Sequence, residues 1–231
     1  MAQTDTATGM LAGVRVVEFA GRLATPVIGM LMAEQGAEVV RIADPASPHH
    51  DPVLDAILGR GKTDAAIDLS TDEGRAALRD LLTRCDVALT DASAQERADL
   101  GIDFDALRAG PNPGLIDCAV PAFPAGDPDA GGPGHEALIG GAGCLYEKAF
   151  GKPVYHDLAI PTVLGALFAG SETIAALIAR LRTGRGQHVE ATRFGASLFA
   201  QILLILMKAG VPRGFMPLRM TATPFMRSWR C

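Results

Sequence analysis

The sequence predicts an α/β fold: a mostly parallel sheet with flanking helices, followed by a long helix pair. Three observations carry this. Residues 14–19 (VRVVEF), 26–35 and 38–42 (EVVRI) read strand, helix and strand within about 30 residues, the span of a parallel βαβ unit. Short strands read at 65–69, 87–89, 115–120 and 188–191 alternate with further helical stretches. A long apolar segment, 161–182, has Pro161 where a first helical turn accepts proline and Gly184 just past its end.

Taken in order, 14–19 is a short, largely apolar run after Gly13 and reads as a buried strand. Pro26 opens a helix whose Val27, Ile28, Met30, Leu31 and Met32 supply its apolar side. Residues 43–63 read as a polar loop holding prolines and histidines. A helix from 71 to 85 follows, with Ser70 or Thr71 as N-cap and Asp72 and Glu73 in its first turn. Residues 121–134 form a loop rich in Pro, Gly and Asp, and 140–143 a second glycine cluster. Residues 194–208 close the pattern as a hydrophobic helix. The first nine residues are polar and are expected to be disordered. The strand–helix alternation makes the first half Rossmann-like.

Composition narrows the function classes. The chain has 231 residues, a net charge of −5 and 5% aromatic residues, with no basic stripe, so no nucleic-acid partner is expected. Cys85, Cys118, Cys144 and Cys231 form no CxxC pair, which argues against a zinc site and a disulfide framework and for buried thiols in a reducing cytoplasm. The polar start has no basic region followed by an apolar core, so it does not read as a signal peptide. Ser171, Glu172 and Thr173 interrupt the apolar stretch from 160 to 179, and no membrane span is expected.

Local motifs are weaker. Gly59–Thr63 (GRGKT) resembles the end of a phosphate-binding loop, but Ala56 stands where the first glycine belongs. His49, His50, Asp51 and Asp55 could ligate a metal, although a solvated loop explains them as well, and no metal is expected. His135 beside Glu136, after a glycine-rich loop, has the makings of an acid–base pair; a histidine at a helix start is the plainer alternative. Asp157 lies just before the long helix, where its dipole favours a carboxylate with or without chemistry.

A series of segments resembles the class III CoA-transferases, the family that also holds the 2-methylacyl-CoA racemases. They are 11–18 (LAGVRVVE), 30–42 (MLMAEQGAEVVRI), 60–69 (RGKTDAAIDL) with Glu73–Arg75, and 100–107 with 112–116. Gly132–His135 and 183–189 (TGRGQHV) complete it. The resemblance implies coenzyme A or an acyl-CoA as substrate, with no tightly bound cofactor. It offers Arg41, Arg60 and Lys62 as contacts to CoA phosphates. In that family an aspartate attacks the thioester and passes through an aspartyl-CoA intermediate, or pairs with a histidine to move an α-proton. That aspartate stands four residues before a glycine of the long helix. Here the glycine is Gly165 and the position is Pro161.

Asp157, one helical turn earlier, is the remaining carboxylate candidate, with His135 as its partner. The family's cation-bearing segment near CoA aligns with 91–95 (DASAQ), so a cation becomes Ser93 and an acid appears at Asp91. The resemblance also implies that the family's small second domain is missing, and that 1–231 is a large-domain portion. Three readings follow. The first is a non-catalytic subunit that oligomerises with a catalytic CoA-transferase chain. The second is an active transferase or racemase using Asp157 and His135. The third is a structural or regulatory partner that does not meet CoA.

Overall fold

The computed structural model describes residues 9–43, 52–130, 134–143, 147–149, 152–154 and 159–202. They divide into two compact units, Met1–Pro121 with Gly165–Ala191, and Ala122–Leu164 with Thr192–Cys231.

The first unit is a six-stranded parallel sheet. Its strands are β1 (Arg15–Phe19), β2 (Glu38–Ala43), β3 (Lys62–Ala66), β4 (Val87–Thr90), β5 (Ile116–Ala119) and, beyond a long excursion, β8 (His188–Glu190). They lie in the order β3-β2-β1-β4-β5-β8. The chain runs outward from β1 to one edge, then returns to β4 and runs to the other. That reversal is the mark of a doubly wound sheet, a class in which ligands bind at the carboxyl ends of the strands flanking the reversal.

Alternation along the strands explains why nearly continuous apolar runs fold this way. Val16 of β1 packs with Val87 and Leu89 in one core, while Val17 and Phe19 pack with Ala88 in the other. Helix α1 (Ala24–Glu34) covers the first face through Ile28 and Met32. Helix α3 (Asp72–Arg84) covers the second through Leu78 and Leu82, both fully buried. Thr71 caps α3 by accepting from the Gly74 amide at 3.0 Å, and Asp72 and Glu73 occupy its first turn.

Several expectations need revision. The polar stretch from 43 to 63 contains a helix, α2 (Pro52–Leu58), and its end belongs to a strand. β3 begins three residues earlier than the apolar run at 65–69 indicates. It is an edge strand with three of its five residues exposed, so no hydrophobic alternation marks it. Ile67 and Leu69 pack into the core from the turn that follows. Two six-residue helices, α4 (Ala94–Asp99) and α5 (Phe104–Ala109), bridge β4 and β5. Residues 1–8 and the metal candidates His49, His50 and Asp51 lie outside the described residues.

The long helix α7 runs from Ile160 to Thr183, one residue beyond the predicted span at each end. Its length and apolar composition would allow it to cross a bilayer, but Ala166, Ala169, Ala176 and Leu177 bury one face in the core of the first unit. Arg180 in its last turn donates to Asp86 at 3.1 Å and to the Gly114 carbonyl at 3.2 Å. Just after it, an added Cβ at Gly186 would sit 1.9 Å from the Leu115 carbonyl oxygen, so only glycine lets β8 approach β5.

The second unit holds α6 (Glu136–Ala142), the antiparallel strands β6 (Glu147–Ala149) and β7 (Lys152–Val154), the start of α7, and α8 (Arg193–Ala200). Helix α8 begins one residue before the predicted helix over 194–208 and ends at Ala200 with Gln201 as its C-cap, so it covers only the first part of that span; residues beyond 202 lie outside the described residues. Thr192 caps α8 by accepting from Gly195, and the Phe123 and Phe194 rings meet at 5.4 Å.

Candidate functional site

Strand register sets Glu18, Arg41 and Asp64 side by side across β1, β2 and β3. The Lys62 ammonium reaches Glu18 Oε2 at 2.6 Å and the Pro26 carbonyl at 2.9 Å. Both side chains are shut from solvent, at 0% and 1% exposure. Burial raises the Glu18 carboxyl above its ordinary range while Lys62 pulls it back, and burial pushes Lys62 down against the pull of Glu18. The pair exists because Gly29 has no side chain: a Cβ there would lie 2.1 Å from Glu18 Oε2.

Arg41 grips Asp64 with two bonds, Nε to Oδ1 at 2.7 Å and Nη2 to Oδ2 at 2.9 Å, and gives Nη1 to Asp55 at 2.7 Å. The guanidinium holds the Asp64 carboxyl below the usual range. Arg60 is half exposed and donates to Glu34 at 2.7 Å and to the Ile57 carbonyl at 2.9 Å. Each of the three candidate phosphate contacts therefore has a partner within the chain.

The β1–α1 turn holds a group that sequence reasoning noticed but gave no structural role. Helix α1 has no capping side chain of its own and no acid in its first turn. Asp91, just past β4, supplies the acceptor instead. Its Oδ2 receives the amides of Arg22 at 2.9 Å, Thr25 at 3.3 Å and Leu23 at 3.4 Å. Ser93, read from sequence as a lost cation, forms a reciprocal capping box with Glu96 at the start of α4; the S-x-x-E spacing was the available signal.

A second feature escaped sequence reasoning. An open pocket of about 660 Å³ in the first unit is lined by Arg97, Ile102, Phe104, Arg108, Asp117 and His188, among others. Asp117 is buried on β5; it accepts from Arg108 Nη1 and lies 2.6 Å from His188 Nδ1. A carboxylate inside the apolar run 115–120, with a histidine in TGRGQHV, was the signal for it.

In the second unit, His135 is exposed at the amino end of α6 and makes no capping bond. The backbone around it is held on two sides. Arg193 Nη1 donates to the Gly134 carbonyl at 2.8 Å. Glu136 accepts from the Thr162 amide at 3.1 Å and from its hydroxyl, which clamps α6 to the first turn of α7. Pro161 is buried in that turn. Asp157 lies outside the described residues, and no cluster of metal-ligating side chains occurs among those described.

The sequence profile of CoA-transferase family III matches residues 11–231. The chain belongs to that family. Among relatives of this family III chain, a succinate–glutarate CoA-transferase of Agrobacterium fabrum is 29% identical over 200 residues, covering 78% of this chain and 50% of that protein. An alpha-methylacyl-CoA racemase of Mus musculus is 32% identical over 195 residues, covering 79% and 48%. The crystal structure of a CAIB/BAIF family protein from Brucella suis superposes with a TM-score of 0.78 at 26% identity, covering 87% of this chain and 58% of that one. The chain spans about half the length of the two relatives it matches.

Proposed function

We propose that this family III chain is a non-catalytic or degenerate subunit of an assembly that handles acyl-CoA thioesters, and that it does not catalyse transfer by itself. The carrying observation is the first turn of α7, where Pro161 fills the position at which the resemblance expects the nucleophilic aspartate. A pyrrolidine ring has no nucleophile to offer a thioester carbonyl. Two of the candidate phosphate contacts point the same way, since Lys62 is buried on Glu18 and Arg41 is taken up by Asp64 and Asp55. Arg60, half exposed, is the cation of the three best placed to meet a CoA phosphate. In this reading a second chain carries the aspartate, and the assembly works in the cytoplasm, where the buried Cys85 and Cys118 thiols stay reduced.

A second reading keeps the chemistry in this chain. The clamp between Glu136 and Thr162 favours it, because it ties the helix that follows His135 to the first turn of α7, where Thr162 stands five residues after Asp157. Asp157 would attack the thioester carbonyl and release CoA, and the returning thiol would then free the acid and leave aspartyl-CoA. Alternatively, Asp157 and His135 would exchange an α-proton.

One assay separates the readings. The purified chain is incubated with succinyl-CoA and glutarate, the acids named for the Agrobacterium relative, and the acyl-CoA products are resolved by chromatography. The expected result is no exchange. Turnover that disappears in Asp157→Ala would overturn the non-catalytic reading and establish the second.

A further inference from the structure

The carboxyl ends of β1 and β4 flank the point where the strand order reverses, and α1 begins there with its amides directed at Asp91. In doubly wound sheets this crevice is where a phosphate sits, because unpaired amides and the helix dipole both favour an anion. Here the anion belongs to the chain. Asp91 reaches across from the end of β4, 66 to 69 residues away in sequence, and takes three amides on one oxygen.

A second feature is independent of the helix end. Thr25, in the first turn of α1, is 0% exposed, and its hydroxyl oxygen has no hydrogen-bond partner among the described residues. It is turned into the same loop, since a Cβ added at Gly21 would lie 2.9 Å from it. A buried hydroxyl without a partner costs free energy of about 1–3 kcal/mol. The carboxylate of Asp91 satisfies the amides and leaves this hydroxyl unused. A tetrahedral oxyanion is broader than a carboxylate and could engage both.

We propose that Asp91 is a built-in anion that holds the oxyanion place at the amino end of α1, and that removing it converts the crevice into a phosphate-binding site completed by the Thr25 hydroxyl. The ionised side chain excludes phosphate by occupying the amides and by repelling its charge. Asp91 is thus a specificity-determining residue: any ligand of this crevice must present an uncharged group at this point, with its phosphates elsewhere. The inference does not depend on the acyl-CoA reading, because inorganic anions test it.

The test follows thermal melting of the full chain in pyrophosphate and in sodium chloride at matched ionic strength. Wild type is compared with Asp91→Ala, with Asp91→Ser, which keeps a hydroxyl cap, and with Asp91→Ala combined with Thr25→Val. Wild type should melt at the same temperature in both salts. Asp91→Ala and Asp91→Ser should gain a saturable rise of roughly 3–5 °C at about ten times the dissociation constant. Thr25→Val should remove most of that gain. The proposal is overturned if pyrophosphate stabilises wild type as much as Asp91→Ala, or if the folded variants do not distinguish the salts. It is equally overturned if neither variant folds even in pyrophosphate, since an external oxyanion would then not replace the carboxylate.

Discussion

Lys62 shows how a residue type can point to one role and its surroundings assign another. A lysine after two glycines reads as a phosphate contact, yet its ammonium has no exposed surface and ends on Glu18 and the Pro26 carbonyl. Burying two charges is expensive, and the pair persists because each supplies what the other lacks. Lys62→Met should therefore cost about 3–5 kcal/mol, because it leaves Glu18 buried and uncompensated. Adding Glu18→Gln to Lys62→Met should recover part of that loss. Urea unfolding of the two single variants and the double variant checks this. Additive losses would mean that the two groups do not interact. Neither role was legible locally, since Lys62 and Glu18 stand 44 residues apart.

At the scale of elements, the edge strand β8 is tied to β5 by a titratable bond. His188 Nδ1 lies 2.6 Å from Asp117, its Nε2 lies 3.6 Å from Glu190, and Arg108 shares the Asp117 carboxylate. The bond to Asp117 raises the His188 pKa above its ordinary 6.5, against the opposing effect of burial. A basic group with a raised folded pKa contributes stability that is fully present below the unfolded pKa and is lost as pH climbs through the folded one. The melting temperature of wild type should exceed that of His188→Gln by most near about pH 6, and the difference should shrink by about pH 9. A pH-independent difference would show that the histidine acts only by packing. Among the helices, α1 and α3 were legible because their apolar spacing or caps are local. α4 and α5 were not, because six residues give too little periodicity to register.

For the whole molecule, the family assignment sets a protein that spans about half of its relatives beside a long helix with unburied apolar surface. Leu167, Ile178 and Leu181 lie on one side of α7 within the first unit and are exposed, Leu181 to 85%. Contiguous apolar surface of this kind favours association. Sedimentation velocity of the purified chain should show concentration-dependent self-association, shifted toward monomer by Ile178→Glu with Leu181→Glu. An unchanged profile in that variant would direct the search for an interface elsewhere.

The sequence by itself determined the α/β class, the order of β1, α1 and β2, the capped helix α3 and the limits of α7. Each depends on residues within a few turns of one another, where periodicity and capping chemistry act directly. It also determined the family, through motifs kept in order along the chain. Only the tertiary structure decided what those motif residues do. Gly29 makes room for the Glu18–Lys62 pair, Gly186 lets β8 close on β5, and Asp91 caps a helix it does not precede. These roles depend on partners brought together by the sheet from distant points in the chain, and no local pattern encodes such a meeting.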